Sequence, residues 1–212
     1  MDILKTKLLA ECKCNATINY SMIKKFKPAY IYRFFCLSLF RDEWYNARIK
    51  LDELKAMTGD KSLSNFNTTF KEFLDIKPYY IERGFIYKTR RNVYHIPPKE
   101  LKYITLSKDF VNIDLDCKYK GFFIQLILLS KFTDIELTKP NIIKELGIDR
   151  KTYDKYVKEL LGNLLIYDGD RLVLLTDGIL LKNEIKGQKI LSKRERGGSE
   201  LPNITLSPKK NK

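Results

Sequence analysis

Leu63-Ser64-Asn65-Phe66-Asn67-Thr68-Thr69-Phe70-Lys71-Glu72-Phe73-Leu74 and Arg150-Lys151-Thr152-Tyr153-Asp154-Lys155-Tyr156-Val157-Lys158-Glu159-Leu160-Leu161 carry one helix-sized pattern twice, 87 residues apart from Leu63 to Arg150. Phe66, Phe70, Phe73 and Leu74 fall in register with Tyr153, Val157, Leu160 and Leu161. That spacing, i, i+4, i+7 and i+8, is a single apolar stripe along an α-helix. The opposite faces align as well, Ser64, Thr68 and Lys71 with Lys151, Lys155 and Lys158. Before each copy stand a shorter helical pattern and a turn containing glycine, and after each comes a hairpin pattern.

Around the first copy, Pro28 suits the first turn of a helix over residues 28–42. Ile31, Phe34, Phe35, Leu37 and Leu39 would form its apolar side, with Arg33 and Arg41 outside. Residues 47–51 read as a short strand. Asp52 is the expected cap of a helix through Leu54 and Met57, and Gly59 ends it. The copy itself follows the loop 59–62, and Pro78 marks a break. Residues 84–96 read as a hairpin, with strands 85–88 and 93–96 around Thr89-Arg90-Arg91-Asn92.

Around the second copy, residues 101–106 read as extended and 120–132 as a long apolar helix. Thr138 is the expected N-cap of a helix over 141–146, with Pro140 near its first turn. Gly147-Ile148 is the turn, and Asp149 caps the copy. Residues 164–175 form the second hairpin, around Asp168-Gly169-Asp170, and Asp-Gly is a strong hairpin signal.

The chain has 212 residues, 44% of them hydrophobic, so it can bury real cores as one domain or two small ones. Forty Lys and Arg against 26 Asp and Glu give a net charge of +14. An excess this large favours a polyanionic partner, of which nucleic acid is the usual one. An anionic membrane surface and a merely lysine-rich soluble surface compete with that reading. No stretch reaches the ~18–20 apolar residues of a membrane span. The start of the chain has no clean apolar segment of the signal-peptide kind, so a cytoplasmic protein is expected. The run 122–129 is broken by Gln125 and fits a buried helix.

The chemistry available to this chain is that of binding. No phosphate loop of the Gly-x-x-x-x-Gly-Lys-Ser/Thr type is present. His95 is the one histidine, and Cys12 and Cys14 have the wrong spacing for a zinc knuckle. Asp114 and Asp116 suit a turn better than a cation. The expectation is therefore no catalytic residues, no metal and no cofactor. On the first copy the outward groups are Ser64, Asn65, Thr68 and Lys71, short hydrogen-bonding side chains of the sort that read base edges. On the second they are Lys151, Thr152, Lys155 and Lys158, a set better matched to phosphate. Lys88, Arg90 and Arg91 sit at or near the first hairpin's tip and suit a contact with nucleic-acid backbone. Asp168 and Asp170 at the second tip would repel phosphate. Tyr79, Tyr80, Tyr87 and Tyr94 either stack on bases or cover a core with the hydroxyl at the surface.

With its two helix–turn–helix segments, residues 52–74 and 138–161, and their hairpins, the chain resembles tandem winged helix-turn-helix DNA-binding proteins. Plasmid replication initiators and phage replisome organisers are the groups it is most similar to. The resemblance covers residues 28–181 and includes the extended lead-in Tyr103-Ile104-Thr105-Leu106-Ser107. It implies an α+β, helix-rich fold: an N-terminal leader 1–27, winged-helix domains over 28–98 and 99–181, and a disordered basic tail 182–212. That tail holds nine Lys and Arg against three Glu. The implied function is sequence-specific binding of double-stranded DNA in replication initiation or transcription regulation of a plasmid, phage or mobile element. The implied protein partners are a second copy, as a homodimer, and a component of the replication or transcription machinery. An assembly module that touches DNA only nonspecifically is the alternative.

Overall fold

The computed structural model describes residues 3–60 and 93–181. The chain is α+β. In order its elements are α1 (Ile3–Glu11), β1 (Asn15–Asn19), α2 (Met22–Lys25), α3 (Pro28–Ser38), β2 (Asn46–Arg48), α4 (Leu51–Thr58) and β3 (Val93–His95). There follow β4 (Tyr103–Ser107), a 3-10 turn (Lys108–Asn112), α5 (Cys117–Phe132), α6 (Lys139–Leu146), α7 (Arg150–Leu160), β5 (Leu165–Asp168), β6 (Arg171–Leu174) and β7 (Leu180–Leu181). The first copy of the repeated pattern, the first hairpin up to Asn92 and the basic tail lie outside the described residues.

Two helices make the centre. On α3, residues 31–38 are all buried, and on α5 so are Cys117 and residues 119–129. Neither is a surface helix with a polar side, because each is covered by the other and by flanking elements. Backbones meet where Gly121 of α5 faces Pro28 at the first turn of α3, with no room for a Cβ between them. Tyr32, Phe35, Phe110 and Phe123 pack around this crossing at 5.8–6.0 Å between ring centroids, the range aromatic pairs prefer.

The expected leader is built into this core. Ala16 and Ile18 alternate with polar neighbours, and β1 pairs antiparallel with β4, Ile18 opposite Ile104. On its other side β4 takes β7, giving the order β1-β4-β7. Asn19 Nδ2 donates to the Pro98 carbonyl at 3.0 Å, and Ser21 Oγ to Glu100 Oε1 at 2.6 Å. The hydrophobic core runs without interruption from Leu8 to Ile179, across the boundary expected at Pro97-Pro98. The reason is topological: the strand that completes the sheet beside β4 comes from the first twenty residues.

Two local expectations are corrected. α4 begins at Leu51 with Lys50 as N-cap, ahead of the expected cap Asp52, and the Lys50 N–H donates to Glu53 Oε2 at 2.9 Å. Asp52 and Glu53 lie in the first turn, where the helix dipole favours negative charge. Arg33, expected on the outside of its helix, is buried. Its Nε donates to Asp60 Oδ2 at 2.8 Å, and Nη2 binds Asp60 Oδ1 in a bidentate pair. Thr58 Oγ1 donates to the same carboxylate, and Cys117 Sγ approaches the Thr58 carbonyl at 3.0 Å. Burial is the largest single influence on the Asp60 carboxyl and would raise it, but the hydrogen bonds and charge of Arg33 together with the Thr58 hydrogen bond outweigh it and hold the carboxyl below its ordinary value. The end of α4 is thereby fastened to both central helices.

After each of the two central helices, a segment ahead of the next helix pairs with a strand from further on. In the first case, β2 follows α3 and pairs with β3, Ala47 opposite Tyr94. In the second, Thr138 follows α5 and bridges to Arg171 of β6. β5 and β6 form the expected hairpin with Leu165 opposite Leu174. Its two-residue turn is Gly169-Asp170, one position later than the Asp-Gly signal suggests. Gly169 at φ 62° takes the first central position, as a type II′ turn requires. No helix among the described residues is long and apolar enough to cross a membrane.

Candidate nucleic-acid interface

The unit α6–turn–α7–hairpin holds the described part of the expected site. Thr138 stands at the N-cap of α6, and Pro140 occupies its first turn. Gly147 ends α6 at φ 61°, a left-handed conformation that glycine adopts without penalty. Two residues later Asp149 caps α7. Its Oδ1 accepts from the Thr152 N–H at 2.9 Å, and its Oδ2 accepts from the Thr152 hydroxyl at 2.6 Å. That hydroxyl contact holds the Asp149 carboxyl below its ordinary value. Only three residues separate the helices, so their relative orientation is set by one glycine and one aspartate.

The apolar stripe reads out as expected. Tyr153, Val157 and Leu160 are buried. Tyr153 and Tyr156 meet Phe122 at 6.5 and 5.2 Å, and Tyr156 meets Tyr119 edge-on at 5.6 Å. α7 is thus docked on α5 by an aromatic cluster, and its other face is turned outward. Lys151, Lys155 and Lys158 are exposed there, and among the described residues none of them has an ion-pair partner. At ~1.5 Å of rise per residue they span about 10 Å along the helix. By contrast Lys139 is tied to Asp154. Thr152, the fourth expected contact, is half-buried and its hydroxyl proton is held by Asp149. It shapes the start of the helix while the three lysines present charge.

Beside this helix the hairpin carries a different chemistry. Asp168 and Asp170 are exposed at its tip, and Arg171 is drawn to Glu136 at 3.0 Å. Ile166 pairs with Val173 across the strands on one face, and both are exposed, as is Leu175 beyond them. Like charges at the tip would hold phosphate away, and the apolar pair gives the hairpin a surface suited to protein.

Ser64, Asn65, Thr68, Lys71, Lys88, Arg90 and Arg91 lie outside the described residues, as do Tyr79, Tyr80 and Tyr87. Tyr94 is half-buried, and burial raises its hydroxyl. Asp116 stands at the N-cap position of α5 and pairs with Lys118 at 3.3 Å. Among the described residues no group of three His, Cys, Asp or Glu could hold a metal ion. Cys12, Cys36 and Cys117 are buried and Cys14 is exposed, all as free thiols.

Sequence reasoning passed over one feature. Trp44, the sole tryptophan, is 79% exposed in the loop between α3 and β2. Its signal lay in its neighbours, since Arg41, Tyr45 and Arg48 flank it within four positions.

Comparison with protein-family models, with curated proteins and with solved structures finds no match to this chain.

Proposed function

We propose that this protein binds double-stranded DNA through two winged-helix units, with α7 as the groove-facing helix of the second. The observation that carries the reading is the unpaired row Lys151, Lys155 and Lys158, opposite the buried stripe of a helix fixed by the Gly147 turn and the Asp149 cap. In a helix-turn-helix the second helix enters the major groove, and lysines on its outer face neutralise phosphates. The pairing of β2 with β3 and the bridge of Thr138 to Arg171 support a similar arrangement in both halves, because each ties a later strand back to the segment between two successive helices. The net charge of +14 supports a polyanionic partner. Sequence reading belongs to the first unit's Ser64, Asn65, Thr68 and Lys71, and phosphate anchoring to α7. Replication initiation or transcription regulation on a plasmid, phage or mobile element is the role proposed for such a reader.

A second reading has its own observation. The acidic tip and the exposed Ile166–Val173 pair suit contact with a second copy or a replication or transcription protein, leaving DNA contact nonspecific. Selection of duplexes from a random pool at ~150 mM salt separates the two. An enriched motif supports the specific reader, and its symmetry reports how many units engage. Retention of DNA without enrichment supports the assembly module.

A further inference from the structure

We propose that the loop Asp42–Asn46 is a stacking site for an unpaired nucleobase, with Trp44 as the platform and the guanidinium groups of Arg41 and Arg48 as its cationic flank. The loop is locked from within. The Asp42 N–H donates to the Asn46 carbonyl at 2.7 Å, and Asp42 Oδ1 accepts from the N–H groups of both Trp44 and Asn46, at 2.9 and 2.8 Å. Arg41 and Ala47 bridge its base. Tyr45 stands at φ 63°, the one non-glycine residue among those described with positive φ. Its carbonyl accepts from the Ile96 N–H at 2.6 Å, which fastens the strained position to the strand opposite.

Strain of this kind persists where the surroundings over-determine it, which is characteristic of sites that present a group to a ligand. Here the group presented is a large aromatic side chain. An exposed indole with no partner among the described residues is an unusual outcome for tryptophan, which ordinarily buries most of its surface. Asp42 holds the backbone N–H groups of Trp44 and Asn46 and so fixes the backbone of the loop that carries the indole.

The surrounding charges select the occupant. Arg41 lies over the Tyr45 ring at 5.0 Å, and Arg48, mostly exposed, has its Nε 3.9 Å from Asp42 Oδ2, so both guanidinium groups belong to the loop that carries Trp44. Asp42, partly exposed, and Glu43, exposed, are the opposing charges. An exposed aromatic face on a loop flanked by two arginines, on a chain of net charge +14, matches the stacking-plus-backbone chemistry of single-stranded nucleic acid. Bases in a duplex are already stacked and offer no free face to such a platform. The inference stands apart from duplex reading by α7, since neither site uses the other's residues.

The single tryptophan makes the test direct, because all indole fluorescence comes from Trp44. The full chain is titrated with labelled mixed-sequence single-stranded oligonucleotide and with the corresponding duplex at ~150 mM salt, following anisotropy of the label and emission of the protein. Expected is quenching that tracks single-strand binding. Trp44→Ala should weaken single-strand binding at least about fivefold, with Trp44→Phe retaining most of it and duplex binding shifting less than twofold. An exposed site makes the variants fold normally, which circular dichroism verifies. Unchanged emission at saturation, or equal single-strand affinity in Trp44→Ala, would overturn the proposal. So would quenching by duplex alone. Loss of duplex binding in the triple Lys151, Lys155 and Lys158 variant with single-strand quenching intact would support it.

Discussion

Replacing Gly121 by alanine sets two opposed effects of known size against each other. In a helix interior alanine is favoured over glycine by about 1 kcal/mol. Against that, a Cβ at position 121 would overlap the carbonyl oxygen and carbon of Pro28 and lie 3.0 Å from its Cα. Overpacking costs typically ~1–3 kcal/mol when side chains can rearrange. Here the obstructing atoms are backbone at the first turn of α3, so the only relief is to move one central helix off the other. That separation would loosen the packing of Tyr32, Phe35, Phe110 and Phe123 at the crossing. The steric effect wins, and Gly121→Ala should destabilise the protein by about 3 kcal/mol or more. At ~2–4 °C per kcal/mol for a chain of this size, the midpoint should fall by roughly 6–12 °C. Urea unfolding followed by far-UV circular dichroism measures the change, with an unaltered m-value showing that the unfolded state is not the source. A variant as stable as the wild type, or more stable by the propensity increment, would refute the close approach of α3 and α5.

Lys120 is 3% exposed and donates to the Tyr32 hydroxyl at 3.2 Å and the Val111 carbonyl at 3.0 Å. Burial lowers its ammonium from 10.5 to about 8, so the unfolded chain holds its proton more tightly and stability should rise between pH 8 and 10.5. Relative to Lys120→Met the gain should be about 3 kcal/mol at ~1.36 per unit; a pH-independent difference in urea midpoints would contradict this. Arg33→Met should cost about 3–5 kcal/mol because it strands the Asp60 carboxylate, and the double variant Arg33→Met, Asp60→Leu should recover part of it in a thermodynamic cycle. Since Asp60 is held below its ordinary 3.8, the stability from that pair is fully present above pH 3.8 and is lost as the pH falls through the lower folded value. Replacing Lys151, Lys155 and Lys158 together by alanine should flatten the dependence of log affinity for duplex on log salt by up to ~2.7, about 0.9 per phosphate contact. An unchanged slope in filter-binding titrations would place the DNA elsewhere.

Where local chemistry decides structure, the residues announced it. Gly147 and Asp149 delimit α7 through a left-handed turn and a side-chain cap, both readable from residue type alone. The stripe Tyr153, Val157 and Leu160 followed from spacing, and with it the outward placement of the three lysines. β1 was illegible because Asn15, Thr17 and Asn19 make it polar on one side and its partner lies some ninety positions away. Arg33 misled because a charged residue within a buried face is explained only by Asp60, which lies 27 positions on, just beyond the end of α4. Thr152 sat on the expected face, but its role depends on whether its hydroxyl finds Asp149. Trp44 escaped notice because tryptophan ordinarily argues for a core, and only the fold shows that the loop has none to offer it.

The pairing of β1 with β4 also has a meaning for how the protein is made. The ribosome delivers Asn19 some 84 residues before Tyr103 (103 minus 19), and at ~5–20 residues per second that is an interval of about 4–17 s. Throughout it, the strand carrying Ala16 and Ile18 is an edge without a neighbour, and α3 has yet to receive α5. The nascent chain therefore cannot finish its first half before beginning its second; it must hold an apolar helix and an open strand in waiting, the kind of interval in which chaperones bind and edges find the wrong partner.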